Sequence, residues 1–173
     1  MNDKIKVLIS EEEVKKRVRE IGAQISEEYA GKELHVICVL KGGVFFTCEL
    51  VKYITVPVTH DFMSVSSYGD GTVSSGRVRI VKDLDESIEG KDVLVVEDII
   101  DSGRTLHHLL QLLRARNPKS LKLCTLLDKP DRREVEVPID YVGFAVPDLF
   151  VVGYGLDYAQ HYRNLPYIGV VEL

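Results

Sequence analysis

Apolar positions follow two rhythms along this chain. Unbroken apolar runs in "ELHVICVL" (Glu33–Leu40), "KDVLVVED" (Lys91–Asp98) and "SLKLCTLL" (Ser120–Leu127) have the length and β-branched character of strands buried on both faces. Between them the spacing changes to three and four. Val14, Val18, Ile21 and Ile25 share one face of a helix, which "SEEE" opens as a capping box with Ser10 at N-cap and Glu13 at N3. Gly31 is its expected stop. "VFFTCELVKYI" (Val44–Ile54) predicts a helix after a tight turn at Lys41–Gly43. "TLHHLLQLLRAR" (Thr105–Arg116) predicts another, with Leu106, Leu109, Leu110 and Leu113 on one face. Val58–Tyr68 reads as strand running into loop, and Gly69–Gly76 as a polar, glycine-rich mobile loop. Beyond residue 140 only short β pieces remain: "YVGFAV", "FVVGYG" and "YIGVVEL".

Buried strands alternating with helices predict an α/β fold, a parallel twisted sheet flanked by helices. The short terminal β pieces predict a small lid folded over one end of that sheet. There is no linker, repeat or low-complexity segment, so residues 1–173 read as one domain. In such sheets ligands bind beyond the carboxyl ends of the strands. Two turns sit there: Lys41–Gly43 and Glu97–Thr105.

Composition narrows the partners. A net charge of −5 lacks the basic footprint of a nucleic-acid binder, so no nucleic-acid partner is expected. It leaves anionic ligands open, because a bound divalent metal reverses the sign of a site. No apolar run approaches the ~20 residues of a membrane span, and "MNDKIKVLISEEE" has no signal-peptide core. No membrane partner is expected. Cys38, Cys48 and Cys124 form no CxxC, and they read as small buried thiols of a reducing cytoplasm. Five scattered His residues offer no zinc spacing.

The candidate chemistry lies in "VLVVEDIIDSGRTL" (Val93–Leu106). Ser102, Gly103, Arg104 and Thr105 stand where strand gives way to helix. Backbone N–H groups there attract phosphate, and hydroxyls add donors. Ordinary capping by Ser102 is the plainer alternative. Glu97 and Asp98 can accept hydrogen bonds from a vicinal diol such as ribose, or bind Mg²⁺. A ribose phosphate held with Mg²⁺ satisfies both halves. Asp101 is then left near the reacting end as a candidate general acid–base.

This stretch closely resembles the phosphoribosyl pyrophosphate signature of the phosphoribosyltransferases, and "EDIIDSG" resembles their hypoxanthine–guanine branch. "LKGG" (Leu40–Gly43), "SSYG" (Ser66–Gly69), "LLDKP" (Leu126–Pro130) and "FVVGYGLDYAQHYRNLP" (Phe150–Pro166) follow in the family's order and spacing. The resemblance covers nearly the whole chain. It implies the type I phosphoribosyltransferase fold, with a lid loop at about 66–77 and a hood built from the N-terminal segment and roughly 145–173.

The resemblance also implies roles. Glu97 and Asp98 would hold ribose hydroxyls and a first Mg²⁺, and Asp101 would handle the proton at purine N7. Residues 102 to 105 would wrap the ribose phosphate, with the backbone of Arg104 a better candidate than its guanidinium. Lys41 and Gly42 would contact pyrophosphate from a turn whose Leu40–Lys41 bond is often cis in the family. Arg163 would bind pyrophosphate too. Lys129 would donate to the 6-oxo group of hypoxanthine or guanine, Phe150 would stack on the ring, and Val151 and Asp157 would read its edge. Asp157 would support a second Mg²⁺, and Ser67 and Tyr68 would belong to the lid. A homodimer or homotetramer is implied. Asp128 and Leu149, beside the base contacts, are candidates for tuning base preference.

Three other readings compete. A non-catalytic regulator on the same fold is disfavoured by the acidic balance and by the presence of both Asp101 and Lys129. An aspartic protease shares "DSG", but such proteins are mostly β. A phospho-accepting domain has a similar "VLVVED" strand, but places it near its N-terminus.

Overall fold

The computed structural model describes residues 4–67 and 77–172. In chain order the elements are β1 (Lys4–Ile9), α1 (Glu11–Glu28), β2 (Leu34–Leu40), α2 (Val44–Val51), β3 (Val58–Ser67), β4 (Val78–Lys82), β5 (Asp92–Ile100), α3 (Arg104–Arg114), β6 (Ser120–Asp128), β7 (Tyr141–Ala145), β8 (Val151–Val152) and β9 (Ile168–Glu172). A six-stranded sheet runs β4-β3-β2-β5-β6-β7 and a separate three-stranded sheet runs β1-β9-β8.

The predicted parallel core is present: β3, β2, β5, β6 and β7 run parallel to one another. Its central strand explains why the sequence there is apolar without alternation. Leu94 and Val96 pack with Val14, Val18 and Ile21 of α1 and with Phe46 and Leu50 of α2. Val93 and Val95 pack on the opposite face with Leu106, Leu109, Leu110 and Leu113 of α3. A strand buried on both faces needs apolar residues at every position.

Local signals acted as their chemistry requires. The Ser10 hydroxyl accepts from the Glu13 N–H at 3.2 Å, and the Glu13 carboxylate accepts from the Ser10 N–H at 2.8 Å. The helix ends at Glu28 with Tyr29 as its cap, and Gly31 (φ +78°) makes the turn that follows. α2 stops at Val51, three residues before Ile54, and α3 starts one residue before Thr105.

Two strands had no counterpart in the sequence reading. β4 pairs antiparallel with β3, so the sheet is mixed rather than wholly parallel. β1 pairs antiparallel with β9, and β8 pairs with β9, giving the terminal segments a sheet of their own. Ile9, Val151 and Ile168 plug that small sheet into the core shared by α1 and α2. Within the expected lid loop, Ser66 and Ser67 are strand residues paired with Arg79 and Val78. Tyr68 and Gly69–Gly76 lie outside the described residues. Cys38 and Cys124 are buried as expected, whereas Cys48 is exposed on α2. Among the described residues, no helix is long and apolar enough to cross a membrane.

Candidate active site

Four chain segments meet at the carboxyl ends of the parallel strands. The first leaves β2. The Leu40–Lys41 peptide is cis, and Gly43 N–H donates to the Val39 carbonyl at 3.0 Å, which closes the turn. Gly42 lies against the Asp98 carboxylate: a Cβ there would fall 1.8 Å from Oδ2. Only glycine fits, so the turn and the central strand are in direct contact.

The second segment is the end of β5. Glu97 and Asp98 still lie within the strand, and their side chains accept from the next N–H along: Asp98 N–H to Glu97 Oε1 at 3.0 Å and Ile99 N–H to Asp98 Oδ1 at 2.8 Å. Glu97 is only 8% exposed. Burial, then the neighbouring Asp98 charge, push its carboxyl well above the usual range. A hollow of about 260 Å³ opens here, lined from Glu97 through Gly103 and by Thr105 and Leu106. Gly103, in the left-handed region at φ +83°, is the N-cap of α3, with no side-chain cap and no acid in the first turn. A Cβ at 103 would sit 2.5 Å from the Val135 carbonyl oxygen. Ser102 Oγ accepts from Arg104 N–H at 3.3 Å, a long bond. Ordinary capping therefore accounts for little of this helix end. The Arg104 guanidinium pairs with Glu134.

The third segment leaves β6. Lys129 N–H donates to the Ile100 carbonyl at 3.0 Å, which stitches it to the end of β5. Its side chain is withdrawn from water, with the residue 8% exposed, and Nζ lies 3.7 Å from Asp101 and 3.9 Å from Asp148. The structure thus brings together the two residues singled out for base chemistry, although 28 positions separate them.

The fourth segment is the loop after β8. Gly155 (φ +101°) packs so tightly that a Cβ would lie 2.1 Å from the Gly42 carbonyl oxygen. Arg163 donates to the Gly155 carbonyl at 2.7 Å and to Gln160 Oε1 at 3.2 Å, and pairs with Asp157 at 3.2 Å. Its buried Nε has no partner among the described residues. Lys41 Nζ reaches the same Gln160 oxygen at 3.4 Å. Lys41, Arg163 and Asp157 are thereby gathered around Gln160, a residue the sequence did not single out. Phe150 is 45% exposed and stands edge-on to Tyr158 at 5.3 Å between ring centroids. Val151 is buried, paired with Val170 across the small sheet. Ser67 ends its strand at an exposed position.

Among the described residues no cluster of three or more His, Cys, Asp or Glu could hold a metal by itself. The donor set suits Mg²⁺ nevertheless. That ion takes one or two carboxylates and completes its shell with water and substrate oxygens. Crowded acids such as Glu97 and Asp98 are relieved by a cation. Asp157 is less free, since its carboxylate is shared between Arg163 and the Gln160 N–H.

The phosphoribosyl transferase domain family matches residues 8–159. The hypoxanthine-guanine phosphoribosyltransferase of Bacillus subtilis is 58% identical over 167 residues, 96% of this chain and 93% of that protein. The bifunctional protein TilS/HprT of Listeria monocytogenes is 58% identical over 171 residues; these span 99% of this chain but 26% of that protein. A hypoxanthine-guanine phosphoribosyltransferase structure from Bacillus anthracis superposes with a TM-score of 0.94 at 52% identity, covering 98% of this chain and all of that one. The hypoxanthine phosphoribosyltransferase of Trypanosoma cruzi, solved with the product IMP, superposes at 0.91 with 43% identity, covering 96% and 94% of the two chains.

Proposed function

This chain belongs to the phosphoribosyltransferase family, and from that membership we propose that it transfers the 5-phosphoribosyl group of phosphoribosyl pyrophosphate to hypoxanthine or guanine, giving IMP or GMP and pyrophosphate. The observation that carries the reading is Lys129. A buried ammonium at the end of β6, 3.7 Å from a half-exposed carboxylate, is suited to a 6-oxopurine. The cation meets O6 while Asp101 meets N7, which is bonded to C5, the carbon next to the C6 carbonyl. The T. cruzi relative, solved with IMP, holds a product of the same class.

The residues divide the work as follows. Glu97 and Asp98 accept from the ribose hydroxyls, and the backbone and hydroxyls of Ser102, Gly103, Arg104 and Thr105 take the 5-phosphate at the open end of α3. Lys41, the Gly42 N–H and Arg163 receive the pyrophosphate, Arg163 through its bidentate fork. Gln160 holds these two cations close until the substrate replaces it. Phe150 covers one face of the purine, and backbone groups at Val151 and Asp157 meet its edge. Glu97, Asp98 and Asp157 would hold Mg²⁺, which supplies charge neutralisation on the departing pyrophosphate.

N9 of the base attacks the anomeric carbon as the bond to pyrophosphate breaks, and Asp101 holds or moves the proton at N7. Positive charge developing on the sugar is stabilised by the nearby carboxylates. The segment at 66–77, including Ser67 and Tyr68, closes over the site and excludes water. We read the protein as a cytoplasmic homodimer or homotetramer built from one domain.

A spectrophotometric assay with phosphoribosyl pyrophosphate, Mg²⁺ and each of hypoxanthine, guanine and xanthine tests the reading. Turnover with hypoxanthine or guanine is expected; no turnover with any base sinks it.

A further inference from the structure

Arg133 had no place in the sequence reading, yet it touches both strand ends that carry the proposed base chemistry. It follows the short helical turn Pro130–Arg132. Its Nη2 pairs with the Asp128 carboxylate, and its Nε donates to the Asp101 carbonyl oxygen at 3.2 Å. Both partners of the ion pair are largely shielded, with 19% and 16% of their side chains accessible. Away from water a charge-assisted pair of this kind is stronger and more directional. Behind it, the Glu134 and Val135 N–H groups donate to the Ser102 carbonyl at 2.9 and 3.1 Å.

The contrast with Asp101 itself is instructive. Its carboxylate is 48% accessible, and its one described side-chain partner is Lys129 at 3.7 Å. The acid is therefore positioned through its main chain rather than its side chain. Arg133 grips that main chain on one side and, on the other, Asp128, the residue immediately before Lys129.

We propose that Arg133 is the positioning residue that sets the distance between Asp101 and Lys129, and so aligns acid–base and 6-oxo contact on one purine ring. This rests on the role proposed above for Asp101. The phosphate loop is held separately by the Glu134 and Val135 amides, so loss of the guanidinium disturbs base chemistry while phosphoribosyl pyrophosphate binding persists.

The test is a double-mutant cycle on kcat, joining Arg133→Gln and Arg133→Lys with Asp101→Asn. Since a misplacement of about 1 Å costs on the order of 100-fold, Arg133→Gln is expected to lower kcat by roughly 10- to 100-fold in the parent. In the Asp101→Asn background it should cost less than about threefold, because residues acting as one unit are not additive. The Kd for phosphoribosyl pyrophosphate should stay within about threefold. Arg133→Lys keeps the charge for Asp128 but loses the Nε donor, so it should fold like the parent and show the same loss. It carries the cycle if Arg133→Gln lowers the thermal midpoint. Equal effects in both backgrounds, or full rescue by Lys, overturn the proposal and leave Asp101's role standing. An undiminished kcat in Asp101→Asn instead overturns that role, and this proposal with it.

Discussion

The two ends of the parallel sheet make a useful contrast. At the amino ends of β2, β3, β5 and β6 a hollow of about 350 Å³ is lined by Gly31, Lys32, Glu33, His35, Thr59, Gly90, Lys91, Asp92 and Lys119. At the carboxyl ends the hollow along Glu97–Leu106 is smaller, about 260 Å³. Volume would favour the amino end. The glycines point the other way. Gly31 and Gly90 both have positive φ, yet a Cβ on either would meet nothing within 4 Å. They are turn glycines. Gly42, Gly103 and Gly155 have a carboxylate or a carbonyl oxygen where a Cβ would go, at 1.8, 2.5 and 2.1 Å. Tight glycines occur elsewhere too, as where Gly22 meets Tyr53 and Gly169 meets Ile5, but at this end they bring the Lys41–Gly43 turn, Asp98 and the segment around Gly155 into contact.

The largest expected effect comes from Asp101→Asn. Loss of a general acid–base costs roughly 100- to 10,000-fold in turnover, with phosphoribosyl pyrophosphate affinity, read by calorimetry, little changed. Lys129→Ala comes next. A hydrogen bond to a charged group contributes about 1.5–3 kcal/mol, so kcat/KM for hypoxanthine should fall on the order of 10- to 150-fold. A melt curve like the parent's would place the loss in recognition rather than folding.

Two alanine substitutions then set the ends of the sheet directly against each other. Gly42→Ala drives a methyl into Asp98 and should cost about 1–3 kcal/mol by denaturant titration, together with activity. Gly90→Ala meets no atom and only strains its φ of +72°, costing about 1–2 kcal/mol with activity kept. If both variants lose activity alike, the contrast between the two ends is broken.

The smallest effect is a pH dependence at the amino end. His35 Nδ1 is bonded to the Thr59 hydroxyl at 2.7 Å, and its buried Nε2 has no partner among the described residues. Burial, then Lys91, hold its pKa below 6.5. The unfolded chain thus takes up the proton first. Stability is full above about pH 6.5 and declines as pH falls toward the folded value, by at most about 1.4 kcal/mol per pH unit. His35→Gln should remove that part of the slope in melts from pH 7 to 5 without changing turnover at pH 7.

Legibility in the sequence followed the range of the forces. The Ser10–Glu13 capping box and the leucine face of α3 depend on neighbours three or four residues away, and both were read. β1 ("KIKVLI") and β4 ("VRIVK") carry a two-residue alternation, but short, charged and largely exposed strands give little apolar signal. β1 forms only because β9, at the other end of the chain, offers an edge. The site divides in the same way. The Glu97–Thr105 stretch is contiguous and declared itself. Gln160 meets Lys41 across 119 positions, and Arg133 reaches back 32 positions to Asp101; no local pattern encodes either.

The seat of Gly155 on the Gly42 carbonyl bears on how such enzymes could be recombined. A chimera that exchanged the carboxyl-terminal segment with that of a relative would inherit one half of a backbone-to-backbone fit. It would work only if both glycines travelled together, whatever the similarity of the remaining side chains. The terminal segment and the Lys41–Gly43 turn thus form one heritable unit, written in two distant places.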